Sequence, residues 1–242
     1  MSTILRLGLA VLSGVLLGVA WLPIGIFNYT FFYIVLFAFI PLLWLFRDLE
    51  KTPERKNGKR FFGYSFLTFM VWNVIATWWV FNSTPAAILA FTTNSALMAL
   101  MVYLYYIVKK HVFKMRNCLW VLAVFFTAFE YFHFDWDLSW PWITLGNVFA
   151  FAPSFVQWYE FTGVLGGSVW IWAINIAGFE VYKYRVENNI KIWEFSFNKP
   201  VFFAVFLLGL PSVISFSMYR NYVEKGTDVE VVIVQPNIDP YG

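Results

Sequence analysis

The residues whose types could do chemistry gather at one place, Glu130, His133, Asp135 and Asp137 in the run EYFHFDWD. His and carboxylate oxygens are the donors of metal sites. Only one His is available there, however, and on a helix Glu130 and His133 share a face that Asp135 does not. An interfacial polar cap is the expected role. His133 and Asp137 are one residue too close for a His-x4-Asp acyltransferase motif, so that reading is rejected. The single Cys118 excludes an intrachain disulfide. It follows the basic Lys109–Arg116 stretch and reads as a buried thiol, not a nucleophile. No Ser/His/Asp set, glycine-rich phosphate loop or paired Cys motif is present. No cofactor or metal is implied.

The elements that would position any site are apolar helices. Sixty per cent of the 242 residues are hydrophobic and 13% are charged, and the mean hydropathy is +0.65. Water-facing domains carry about 25% charged residues, so this composition is that of an integral membrane protein. Seven segments have roughly the length of a span: 4–22, 28–46, 61–81, 86–108, 118–134, 161–182 and 201–217. The expected fold is therefore an all-α polytopic bundle over residues 1–218. In lipid such segments must be helical, because their backbone groups have no water to bond.

Fifteen of the seventeen Lys and Arg residues lie at Arg6 and in the stretches 47–60, 109–117 and 183–199. All fall on one side if each segment crosses once, and by the positive-inside rule that side is the cytoplasm. The N-terminus is then cytoplasmic, and residues 135–160 and the C-terminal tail are external. A signal-peptide cleavage site at Gly18-Val19-Ala20 is the lesser reading of the first span, whose apolar run is long and whose n-region holds only Arg6. Basic residues confined to short loops give no support for nucleic-acid binding.

Gly14/Gly18 and Gly163/Gly167 form two G-xxx-G pairs, expected to pack helices. Asn73, Asn94 and Asn175 lie within spans and are expected to bond between helices. No span carries a mid-bilayer charge, which argues against an ion-coupled permease. After residue 217 the character changes. Val229–Val234 is a β-branched run of the kind buried in a parallel sheet, followed by the turn residues Pro236, Asn237, Asp239 and Pro240. A lone strand needs partners. Residues 219–242 are therefore expected to begin an α/β domain that the chain does not complete. The alternative is a membrane scaffold or lipid-binding module whose strand docks on a partner's sheet.

The stretch Ser139–Glu180 carries the most specific pattern. Pro141-Trp142-x-x-x-Gly146, Gly163-x-x-Gly166-x-Ser168, Asn175 and the VVIVQPNI run at 231–238 together resemble bacterial apolipoprotein N-acyltransferase. The resemblance implies that the strand opens a nitrilase-like domain on the outer face of the inner membrane. It implies a Glu/Lys/Cys triad whose thiolate takes an acyl chain from a phospholipid and passes it to the α-amino group of a diacylglyceryl-cysteine lipoprotein. That triad would lie beyond Gly242, so no catalytic residue carries over and the chain alone is expected to be inactive. Ser139–Glu160 becomes the expected floor beneath the catalyst. Trp140, Trp142, Asn147, Gln157 and Glu160 are the candidate substrate contacts, with Trp158 and Tyr159 as further interfacial anchors. A monomer is expected.

Overall fold

The computed structural model describes residues 1–24, 29–51, 57–191, 194, 199–227 and 229–236. Eight helices run through them: α1 Thr3–Trp21, α2 Ile40–Lys51, α3 Asn57–Thr77, the single turn α4 Val80–Ser83, α5 Ala87–His111, α6 Leu119–Phe132, α7 Tyr159–Glu187 and α8 Lys199–Asn221. Each of the seven apolar segments overlaps one of the longer helices. Five helical stretches are both long and apolar enough to cross a membrane, namely 3–21, 32–51, 87–111, 159–187 and 199–221. The protein is a helical membrane protein.

The other two apolar segments fall short for different reasons. α3 has the length but opens with Asn57, Lys59 and Arg60 and carries Ser65, Thr68, Asn73 and Thr77. α6 has 14 residues, about 21 Å at 1.5 Å per residue against a hydrocarbon core of about 30 Å. The expected second span is not one helix either. Residues 32–36 form a 3-10 turn and α2 begins only at Ile40. Pro41 has no N–H and its ring collides with the carbonyl four residues earlier, so the helix cannot run through.

Asn175 of α7 fills that break. Its Oδ1 accepts the Phe39 N–H at 2.9 Å, and its Nδ2 donates to the Val35 carbonyl at 2.9 Å. Asn94 Nδ2 donates to Asn73 Oδ1 at 2.8 Å between α5 and α3. All three intramembrane asparagines thus bond between segments, as expected of amides removed from water. Around Asn175 lies an aromatic core in which Trp172 stacks on Phe39 at 4.1 Å and meets Phe126 at 5.0 Å.

Gly14 and Gly18 let α1 sit directly on α3. A Cβ at Gly14 would lie 2.5 Å from the Thr68 carbonyl oxygen, and one at Gly18 would lie 2.6 Å from the Ile75 Cβ. The first G-xxx-G pair therefore packs helices. The second does not, as described below.

Charge gathers at one end of the bundle. The N-terminal amine and Arg6 pair with Asp48 at 3.1 and 2.7 Å, and Lys109 pairs with Glu50 at 2.5 Å. Arg47 pairs with Glu187, and Glu180 receives Lys183 at 2.6 Å and the Asn117 amide at 3.0 Å. The start of α1 and the ends of α2, α5 and α7 are joined there. The basic partners in these pairs, Arg6, Arg47, Lys109 and Lys183, come from Arg6 and from each of the three basic stretches of the sequence.

Among the described residues the β structure is one antiparallel ladder, Pro23–Ile24 with Tyr29–Thr30. The expected strand at Val229–Val234 does not form: residues 229–236 have no regular structure. The run is solvent-exposed, from 70% at Val231 to 86% at Ile233. Among the described residues no neighbouring strand pairs with it, and a β-branched sequence cannot satisfy its backbone alone. Asn237, Ile238, Asp239 and Pro240 lie outside the described residues.

Candidate functional site

At the end of the bundle opposite the charges, α6 stops at Phe132 and the chain folds back before α7. Three 3-10 turns follow one another: 141–143, 145–151 and 153–155. Pro141 and Pro153 each open a turn, where a missing N–H costs nothing. The segment is irregular, as its prolines suggest. Irregular backbone buried in a membrane protein must find partners for its polar groups.

Those partners come from α6 and α7. Glu130, 3% exposed near the end of α6, accepts the Leu145 N–H on its carboxylate at 2.8 Å. Ser168 Oγ of α7 accepts the Gly146 N–H at 3.1 Å. The Tyr159 hydroxyl donates to the Gly146 carbonyl at 3.0 Å. Ser168 and Tyr159 thus clamp the N–H and the carbonyl of Gly146, and Glu130 holds the Leu145 N–H beside them.

The glycines of this region serve that clamp. A Cβ at Gly146 would lie 2.0 Å from the Val164 carbonyl oxygen, and one at Gly167 would lie 1.7 Å from the Tyr159 hydroxyl. Gly163 has φ 64° and ψ −175° and breaks the helical path inside α7. Only glycine adopts that conformation readily. The pair Gly163/Gly167 therefore sets a backbone break and a close approach within its own segment, where helix packing was expected.

The acidic cluster separates. His133 is buried, accepts the Trp136 indole N–H on Nδ1 at 2.8 Å and stacks on Phe129. Asp135 and Asp137 are exposed. Glu130 belongs to the buried clamp and not to an interfacial cap. A carboxylate at the end of an apolar helix reads as interfacial; only the return of Leu145 over it shows otherwise. Among the described residues no three His, Cys, Asp or Glu side chains converge on a metal position. Cys118 is buried at the charged end, beside Tyr105 and Lys109.

The five candidate contact residues all lie in this folded-back segment or at the start of α7. Trp142 is 56% exposed and stands edge-on to Trp79 at 5.6 Å. Trp140 is half-buried against Phe91 and lines a cavity of about 230 Å³ with Asn94, Leu138 and Ser139. Asn147 Nδ2 donates to the Pro141 carbonyl at 3.1 Å, and Gln157 Nε2 to the Pro153 carbonyl at 2.9 Å. Both amides brace turns. Glu160 is exposed in the first turn of α7.

The two motifs of the Ser139–Glu180 stretch therefore meet at one hydrogen bond, Gly146 to Ser168. Residues 13–177, which include that bond, match the family described as Apolipoprotein N-acyltransferase N-terminal domain. The chain belongs to this family. Over 236 residues it is 28% identical to a protein of Chlorobaculum tepidum named apolipoprotein N-acyltransferase. The alignment covers 96% of this chain and 42% of that relative. The chain thus spans less than half the length of the relative it matches. No solved structure matches it.

Proposed function

We propose that this chain is the membrane-embedded part of an apolipoprotein N-acyltransferase. The carrying observation is the clamp on Gly146, which joins Pro141-Trp142-x-x-x-Gly146 to Gly163-x-x-Gly166-x-Ser168 inside the span matched by the family. The enzyme moves an acyl chain from a phospholipid to the α-amino group of a diacylglyceryl-cysteine lipoprotein. A Cys thiolate of a nitrilase-like domain attacks the phospholipid ester, forming a thioester and releasing the lysophospholipid. The amine then attacks the thioester and frees the thiolate, so acyl groups balance.

In this reading α1, the 32–51 segment, α3, α5, α6, α7 and α8 each cross the bacterial inner membrane once. The ion-paired end is cytoplasmic and residues 135–160 are periplasmic, as the positive-inside rule requires. Residues 139–160 form the floor of the reaction site at headgroup depth. Trp140, Trp142, Asn147, Gln157 and Glu160 contact the phospholipid donor or the lipoprotein acceptor. Val229–Val234 becomes an ordered strand within the nitrilase-like sheet, and the enzyme is a monomer.

The contact role is tested in the full-length protein. Trp142→Ala and Glu160→Gln each lower kcat/KM for acyl transfer by about tenfold or more, the effect of losing roughly 1.4 kcal/mol of transition-state stabilisation, at unchanged protein level. Unchanged activity in both would leave these residues as interfacial anchors only.

A further inference from the structure

On the lipid-facing side of the bundle, α8 is attached to α7 in one half of its length and stands away from it in the other. The attachment has a local cause. Pro211 inside α8 has no N–H, so the Leu207 carbonyl loses its helical partner, and the Trp170 indole N–H fills that vacancy at 2.7 Å. Further on, Ser215 Oγ accepts the Gln157 N–H at 2.6 Å. Toward the charged end the two helices diverge around a cavity of about 1030 Å³, at the upper end of the volumes of ligand pockets.

The cavity is an apolar groove, bounded along α8 by the Trp170–Leu207 junction and continued past Ala173 and Ile176 by a second apolar cavity of about 620 Å³ that reaches Leu165 and Phe132. Its floor is Ala173, Ile176 and Ala177 of α7, and its walls are Trp120, Phe202 and Phe203. At the mouth stand Glu180 and Lys199. Glu180 is already paired with Lys183 and Asn117, which leaves Lys199, among the described residues, as the unneutralised charge of the rim. From Glu180 to Ala173 its lining runs about 10 Å along α7, at 1.5 Å per residue. From Glu180 to Leu165, over this cavity and the next, the groove runs about 22 Å, longer than one leaflet of a hydrocarbon core of about 30 Å.

We infer that this groove binds a phospholipid of the leaflet at the charged end, with an acyl chain between α7 and α8 and its phosphate at Lys199. A groove apolar along its length, at least one leaflet long and cationic at its mouth has the lining and charge of that ligand. A helix, about 10 Å across, does not fit between two helices already joined at Trp170–Leu207. The site is at the opposite end of the bundle from residues 139–160 and is independent of the acyl-transfer reading.

The test is native mass spectrometry of the purified 242-residue chain from micelles holding phosphatidylglycerol and phosphatidylcholine in equal amounts. The wild type retains one phospholipid, with about a fivefold preference for the anionic headgroup, as one Lys near a membrane surface supplies. Lys199→Gln keeps the lipid and loses the preference. Ala177→Trp and Ala173→Phe, which fill the groove at two heights, each cut retention about tenfold with unchanged circular dichroism. Were either variant to misfold, the other decides. No retained lipid in the wild type, retention in both filled variants, or a dimer in place of the lipid adduct overturns the inference.

Discussion

The Gly146 N–H donates to Ser168 Oγ at 3.1 Å, joining a 3-10 turn to the first regular turns of a membrane helix 22 residues away. Together with Glu130 and Tyr159 this bond fixes a non-helical backbone at the end of an apolar bundle. A buried N–H with no partner costs about 1–3 kcal/mol. The serine is therefore a structural requirement of the folded-back segment whatever passes above it.

Ser168→Ala removes the acceptor and leaves the Gly146 N–H orphaned. The expected loss is about 1–3 kcal/mol, read as a lowered Tm of the detergent-solubilised chain. Ser168→Cys, which keeps a weak acceptor, loses less. Equal stability of Ser168→Ala and wild type would show that the bond contributes nothing.

Gly163→Ala and Gly8→Ala move stability in opposite directions. Gly163 needs φ 64° with ψ −175°, a region nearly closed to alanine at a cost of order 1–3 kcal/mol. Gly8 is helical with open space where its Cβ would stand, so alanine there is neutral or stabilising by up to about 1 kcal/mol. Paired thermal melts distinguish the two; equal effects would contradict the backbone break.

Trp170 and Pro211 are coupled through one carbonyl. Trp170→Phe orphans the Leu207 carbonyl oxygen in the wild type, a loss of about 1–3 kcal/mol. Pro211→Ala restores a backbone N–H at that position, which takes the carbonyl, and in that background the same substitution of Trp170 costs less. A double-mutant cycle measures the difference, and strict additivity would refute the coupling.

The positions of the helices were legible in the sequence because apolar runs and basic loops report the bilayer directly. Asn175 was legible as an interhelical amide, since a polar group in lipid has few other options. The break at residues 37–39 had a signal, Pro41, that hydropathy alone overrides. The burial of Glu130 had none: its partner, the Leu145 N–H, is 15 residues on and meets it only after the chain folds back. The run at Val229–Val234 has strand character but no partner strand among the described residues, so local propensity did not become structure.

The most direct test of the central claim is an acyl-transfer assay with a diacylated lipopeptide and phospholipid, read as the mass of one added acyl chain. The full-length protein carrying the nitrilase-like domain adds that chain to the free α-amino group, and residues 1–242 alone add none. Acylation by the 242-residue chain, or none by the full-length protein, would contradict the account.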